Sequence, residues 1–219
     1  MRIIRSTDRT KDTKVTDAAR QTKTVDARNA ILDAARQCIV ETGYAGLSTR
    51  MITERAGVPL SQLHYHFGSK HGLMLAALHH ENERRLHRQT TLYDTDLPLW
   101  QQWEQACDFL EDDLTSGYVR VLQEMTAVGW SNEEVAAAVR ADLEGWFRLL
   151  TGVAAKLAGD DGKLGPFQPA EIATLVSLAF LGAETMILLD VTEDRLPCRA
   201  ALRRVGALIR AAEEARAEA

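Results

Sequence analysis

A chain of 219 residues that is 46% apolar and 26% charged has material for one sizeable core or two modest ones, which sets aside a disordered chain. Its net charge of −5 is unevenly spread: residues 1–90 carry 15 Lys/Arg against 9 Asp/Glu, and the remainder carries 11 against 22. Cys38, Cys107 and Cys198 are odd in number and form no CxxC pair, so a disulfide framework is set aside too.

Residues 1–24 mix Lys, Arg, Asp and Thr without an apolar period and are expected to form a mobile basic arm. No apolar leader opens the chain, so no signal peptide is expected and a cytoplasmic location is. Ile31, Ala35, Cys38 and Ile39 recur at helical spacing over residues 25–42, and Gly43 supplies a stop. Ser48 or Thr49 caps a short helix through Ala56, which Gly57 ends. A second short helix covers about 59–67, and Ser69 caps a longer one over about 70–89.

Further helices follow over 97–116, 118–128 and about 131–158, the last opened by a Ser131/Glu134 capping box. After a loop, Pro169 opens a very apolar helix to about Leu189, and Pro197 opens the last one. Thr174, Ser177, Glu184 and Thr185 interrupt the apolar helix, which therefore reads as buried and not as a membrane span. Alanine and leucine dominate and β-branched runs are short, so the fold class is all-α with about nine helices.

Two short helices joined by Ala56-Gly57-Val58 and braced by the preceding helix make a helix-turn-helix. Val58 and Leu63 can tuck against Ile31, Leu47 and Ile52, leaving one face of the second short helix free for a major groove. The run ILDAARQCIVETGYAGLSTRMITERAGVPLSQLHYHFGSKHGL resembles the DNA-binding head of the TetR family of transcriptional regulators. The pattern holds at many fixed positions: the G-Y-x-x-L-S-T-R opening, the A-G-V turn and the Y-H-F-x-S-K-x-x-L close. It departs at Pro59, His64, Gly68 and Gly72.

The resemblance implies three parts: the arm, a head over 25–70, and a ligand-binding and dimerisation domain over 71–219. It places phosphate contacts at Thr49 and Arg50. It makes Leu60, Ser61, Gln62, His64, Tyr65 and His66 the recognition helix, with Gln62 the best candidate for a base edge. Tyr65, His66 and Lys70 fall where the family grips the backbone. It further implies a cavity for a largely apolar effector, for which Trp103, Phe109, Met125, Trp146, Leu150, Phe180 and Met186 are candidates. Glu184 could orient a polar group of that ligand, pair with Arg140 or Arg148, or reach solvent.

Leu202, Val205, Leu208 and Ile209 form one stripe that is either core or, as the resemblance implies, part of a four-helix interface of a homodimer. Two-fold symmetry would set two recognition helices about 34–36 Å apart, matching successive major grooves of a palindromic double-stranded operator. The expected function is a ligand-released repressor without cofactor or membrane association. No nucleophile elbow, phosphate-cradling loop or HExxH stands out, so an enzyme is not expected. All six histidines lie between His64 and His87; His79, His80 and His87 lack a metal-ligand spacing and read as solvated. A ligand-free DNA-organising protein is the rival reading, and a helical adaptor would not need Arg50, Tyr65, His66 and Lys70 on one surface.

Overall fold

The computed structural model describes residues 9–158, 162 and 164–217, with side chains from residue 26 to residue 215. Among them lie nine helices and no strand, only an isolated bridge between Leu164 and Phe167. The chain divides into two compact units, with the boundary between Ala76 and Ala77.

The first unit is a three-helix head continued by the start of a fourth helix. Its first helix, α1, spans Arg9–Gly46. Residues 1–8 of the expected arm lie outside the described residues, but from Arg9 onward the arm's backbone is helical and continuous with α1. Low apolar content had argued for an irregular arm. Yet Gly43 and Pro59 are the first glycine and proline in the sequence, and nothing before them interrupts a helix already nucleated downstream. The non-helical Gly43 (φ 65°, ψ 174°) kinks α1 where the sequence placed its end.

The other head helices are α2 (Thr49–Ala56), α3 (Leu60–Phe67) and the opening of α4 (Lys70–Tyr93). Ile31, Ala35, Cys38 and Ile39 of α1 close a core with Leu47, Ile52, Leu63, Leu73 and Met74, all buried. Each large aliphatic side chain so buried contributes roughly 1.5–3 kcal/mol. That is how helices of eight residues, marginal alone, hold their shape.

The second unit holds the rest of α4, which runs a turn beyond the expected Gln89, with α5 (Leu99–Ser116), α6 (Tyr118–Gly129), α7 (Glu133–Lys156), α8 (Pro169–Leu188) and α9 (Cys198–Ala217). Here α7 packs on α6 and α8, and α9 packs on α5 and α8. The N-cap of α7 is Asn132 and not Ser131: the Asn132 amide oxygen accepts the Val135 N–H at 3.1 Å, while the Ser131 hydroxyl turns back to the Val128 carbonyl. At the start of α8, Glu171 accepts the Gln168 N–H at 2.8 Å. The α5 N-terminus is capped from a distance, because the Glu213 carboxylate of α9 accepts the N–H groups of Leu99 (2.8 Å) and Trp100 (3.2 Å). A carboxylate there satisfies donors that no intrahelical carbonyl can reach and complements the helix dipole.

Two expectations need correction. Helix α8 is long and apolar enough to cross a membrane by length and composition, yet it is only partly buried: Ser177, Phe180 and Glu184 face inward while Leu175 and Leu178 are exposed. In α9, Leu202 is buried and Val205 and Ile209 half-buried, but Leu208 is 72% exposed. Positions 202, 205 and 209 share one face, and 208 turns well away from it.

Candidate functional site

The turn between α2 and α3 is built from its caps. Ser48, extended at φ −124°, accepts the Met51 N–H at 3.2 Å, so α2 begins at Thr49 with Arg50 next. Gly57 closes α2 in the left-handed region (φ 66°, ψ 30°), where a Cβ would cost roughly 1–2 kcal/mol. The Val58 N–H then returns to the Thr53 carbonyl at 3.1 Å. Pro59 stands at the N-cap of α3 without a side-chain cap, and its carbonyl takes the Gln62 N–H at 2.9 Å.

Burial of Leu63 at 0% exposure fixes how α3 is rolled. It leaves Ser61, His64 and Tyr65 exposed and Leu60, Gln62 and His66 half-buried. Arg50 is exposed and Thr49 half-buried at the start of α2. The head therefore carries hydroxyls, an amide, rings and a guanidinium on two short helices, the donor set that duplex phosphates and base edges accept. The His64 Nδ1 lies 3.1 Å from the Gly68 carbonyl oxygen. A carbonyl can only accept, so Nδ1 carries the proton and a neutral ring keeps Nε2 as an outward acceptor. His66 Nε2 is buried with no hydrogen-bond partner among the described residues.

Lys70 is half-buried: its Nζ donates to the Tyr44 carbonyl at 2.7 Å and lies 4.1 Å from the Tyr44 ring centre. The ammonium thus ties the start of α4 to the end of α1. Ser69 caps α4 as expected, accepting the Gly72 N–H at 3.0 Å. A Cβ at Gly72 would run into the Phe67 carbonyl, and Gly68 before it has φ 70°. The two departures from the family pattern belong together, allowing a tight turn from α3 into α4. The sequence reading missed the Arg55–Glu41 pair, two bonds of 2.7 Å that join α2 to α1 and hold the Glu41 carboxyl below its ordinary range. Fourteen residues separate them, and no local pattern marks such a pair.

In the second unit, five of the eight candidate effector residues converge. Trp103 of α5 meets Phe180 of α8 edge-on at 5.6 Å, and Trp146 of α7 meets the same ring at 6.3 Å. Leu150 packs with Trp146, and Met186 lies beside the Trp103–Phe180 cluster. Phe109 belongs to a different cluster, with Leu92, Tyr93, Ala106 and Val153, and carries the Arg88 guanidinium at 4.2 Å. Met125 is fully buried in α6. Trp103 and Leu150 also line an apolar cavity of about 100 Å³, together with Val153, Ala173, Val176 and Ile209.

Glu184 is 1% exposed, one turn along α8 from Phe180, but its partner is neither Arg140, which pairs with Glu133 on the surface, nor the exposed Arg148. It is Arg85 of α4, with Nη2 3.9 Å from Oε1. Arg85 also bonds Asp113 at 2.9 Å and lies over the Trp146 and Tyr118 rings at 4.6 and 5.2 Å. Arg88 reaches the other Asp113 oxygen at 2.6 Å. Burial pushes the Glu184 carboxyl up to about 7, helped by Asp113 and opposed by Arg85. The signal was present in the sequence: Asn82, Arg85 and Gln89 are polar residues on the stripe that Leu78 and Leu92 continue, at the positions a core helix fills with apolar side chains.

His79 is exposed, as expected, but its ring is held: Nδ1 lies 2.8 Å from Asp142 Oδ1 and Nε2 3.4 Å from Glu83, and the Asp142 bond raises its pKa. No group of three metal-ligating side chains occurs among the described residues. Of the four tryptophans, Trp130 is 84% exposed between α6 and α7.

The family model for bacterial regulatory proteins of the tetR family matches residues 31–77. The HTH-type transcriptional repressor AcnR of Corynebacterium efficiens is 41% identical over 54 residues, and its counterpart in Corynebacterium glutamicum is 39% identical over the same length. The aligned stretch is 25% of this chain and 29% of those repressors, confined to a region of head length. Solved structures extend the likeness of fold over most of the chain. A TetR-family regulator from Rhodococcus sp. aligns with a TM-score of 0.68 at 20% identity, covering 84% of this chain and 98% of that one. FadR of Bacillus subtilis, solved with stearoyl-CoA, aligns at 0.67 and 16% identity, covering 82% and 96%.

Proposed function

We propose that this chain, whose helix-turn-helix head matches the tetR family of bacterial regulatory proteins, is a cytoplasmic dimeric repressor of that family, released from a palindromic operator by a small, largely apolar effector. The observation that carries the DNA half is the roll of α3: a buried Leu63 turns Ser61, His64 and Tyr65 outward, with Gln62 beside them. In this reading Arg50, Thr49, Tyr65 and the start of α4 at Lys70 hold phosphates, and Gln62 reads a base edge, while the buried Nε2 of His66 takes no part.

The dimer half rests on apolar surface. Leu175, Leu178, Leu189, Leu196 and Leu208 are exposed on α8, α9 and the segment between them. A groove of about 530 Å³ runs there, lined by Leu178, Gly182, Met186, Pro197, Ala201 and Val205. A second copy of the same surface would cover it by two-fold symmetry and bring two heads to one face of a duplex. The effector half rests on the aromatic cluster around Phe180. Helix α4 carries residues of both units without a break, so it is the element through which a change near Arg85 would reach Lys70.

The test is selection of genomic fragments by the purified protein at physiological salt, followed by sequencing. A recurrent palindrome is expected, bound by wild type and lost, together with the dimer in sedimentation, in Leu178→Glu. Binding without a recurrent sequence would replace this reading with a DNA-organising protein.

A further inference from the structure

Along the buried side of α8, Phe180 stands one turn from Val176, which lines the apolar cavity of the second unit, and one turn from the buried Glu184. The cavity of about 100 Å³ is lined by Trp103, Leu150, Val153, Ala173 and Val176. Drug-sized ligands occupy roughly 300–1,000 Å³, so this space alone takes nothing larger than a small ring. Trp103 is the cavity wall that meets Phe180. The other face of contact on Phe180 is Trp146, and over Trp146 lies Arg85, followed by Glu184. Phe180 and Glu184 are one turn apart on α8, both on its buried side.

The polar end of this row is incompletely satisfied. Glu184 Oε2 and Gln89 Oε1 are buried and have no hydrogen-bond partner among the described residues, and the same is true of Arg88 Nε. Glu184 and Gln89 are 1% and 2% exposed. A buried polar atom without a partner carries a desolvation cost that a bound group can relieve. The buried guanidinium is already paired, Arg85 with Asp113 and Glu184, and Arg88 reaches both Asp113 and the exposed Asp112, so the cluster leaves no unpaired arginine for an anion. The orphan one turn from Phe180 is Glu184 Oε2, an acceptor, and a hydroxyl group supplies the donor that it lacks.

We propose that Phe180 is a gate between the apolar cavity and the Glu184–Arg85–Gln89 cluster, and that the pocket formed when it swings aside takes a neutral aromatic or similarly apolar molecule bearing a hydroxyl group. This rests on the effector reading above and names the class of effector. The hydroxyl hydrogen bonds to Glu184, the aromatic body fills the space against Leu150, Val153 and Ala173, and Trp103 and Trp146 flank it.

Three probes of one shape test this: 4-phenylphenol, biphenyl and biphenyl-4-carboxylate, titrated against the full-length protein with tryptophan fluorescence and calorimetry. Wild type is expected to bind 4-phenylphenol about tenfold tighter than either of the others, the range a single buried hydrogen bond supplies. Glu184→Leu should bind biphenyl and 4-phenylphenol equally, Glu184→Gln should keep the preference through its amide oxygen, and Phe180→Ala should bind both tighter. The glutamine and alanine variants keep the test decisive if the leucine variant fails to fold. Equal binding of 4-phenylphenol and biphenyl by wild type, preference for the carboxylate, or no binding of any probe by Phe180→Ala overturns the inference. The effector reading itself fails separately: a protein that shows the hydroxyl preference but binds its operator equally with and without 4-phenylphenol has the pocket and not the switch.

Discussion

The two units solve opposite problems. Among the described residues the head buries one polar side chain, Thr53, whose hydroxyl is satisfied by the carbonyls of Thr49 and Arg50. The second unit buries Asn82, Arg85, Gln89, Gln102, Asp113, Asp142, Ser177 and Glu184. The apolar balance runs the other way, since most of the large exposed apolar side chains, Leu175, Leu178 and Leu208 among them, lie in the second unit. A head whose two short helices turn polar groups outward can keep a plain aliphatic core. A unit with ions inside and leucines outside carries desolvation costs that a simple scaffold would avoid, and those costs point to ligands and partners.

The largest effect that could break this comparison is at Asp113. Asp113→Ala strips the carboxylate from two arginines, one of them fully buried, and should destabilise the second unit by about 3–5 kcal/mol. All four tryptophans lie in that unit, so urea unfolding followed by their fluorescence reads it alone. A loss below about 1 kcal/mol would mean that the ions are not a structural centre.

Glu184 gives the next largest. Its carboxyl is raised from 4.5 to about 7, so the folded state holds a proton that the unfolded chain releases. Its stabilising contribution is complete below about pH 4.5 and is lost as pH rises through 7. The amount is on the order of 3 kcal/mol, because each tenfold gain in proton affinity on folding is worth about 1.4 kcal/mol. Glu184→Gln should remove that slope, making the variant more stable than wild type at pH 8 relative to pH 5. Parallel pH curves for the two proteins would show that the carboxyl is not raised.

Within the head, Gly72→Ala forces a methyl into the Phe67 carbonyl and should cost about 1–3 kcal/mol, read as a lower midpoint in thermal unfolding followed by backbone dichroism. An unchanged midpoint would remove the explanation offered for the paired glycines. The smallest effect on folding, and the sharpest on function, is at Gln62. Gln62→Ala should leave stability within about 0.5 kcal/mol and lower operator affinity by about 1–3 kcal/mol at one base pair. Loss spread evenly over all sequences would assign Gln62 to the backbone instead.

Much of the head was legible because its signals are local. Ser48, Gly43, Gly57 and Ser69 act on helix ends a few residues away, and each is found at the helix end the sequence assigned it. The α7 cap moved from Ser131 to Asn132 because neighbouring cap residues compete: the Asn132 amide oxygen takes the Val135 N–H, and the Ser131 hydroxyl turns to the Val128 carbonyl. The arm differed because a charged sequence without glycine or proline continues a helix it would not start.

The sequence by itself determined the nine helices and the helix-turn-helix, with α3 close to its observed bounds, since periodicity, caps and turn glycines depend on spacing along the chain. It also determined that Glu184 stands among apolar residues. Only the tertiary structure decided that Arg85, and not Arg140 or Arg148, answers it, that Lys70 is tied to Tyr44, and that Leu208 faces away from its stripe. Glu184 and Arg85 are far apart in the sequence, on helices brought together by packing of side chains around Trp146 and Phe180. Which of several equally spaced arginines meets a buried acid is set by how helices roll against one another, a property of the assembled core and not of any one segment.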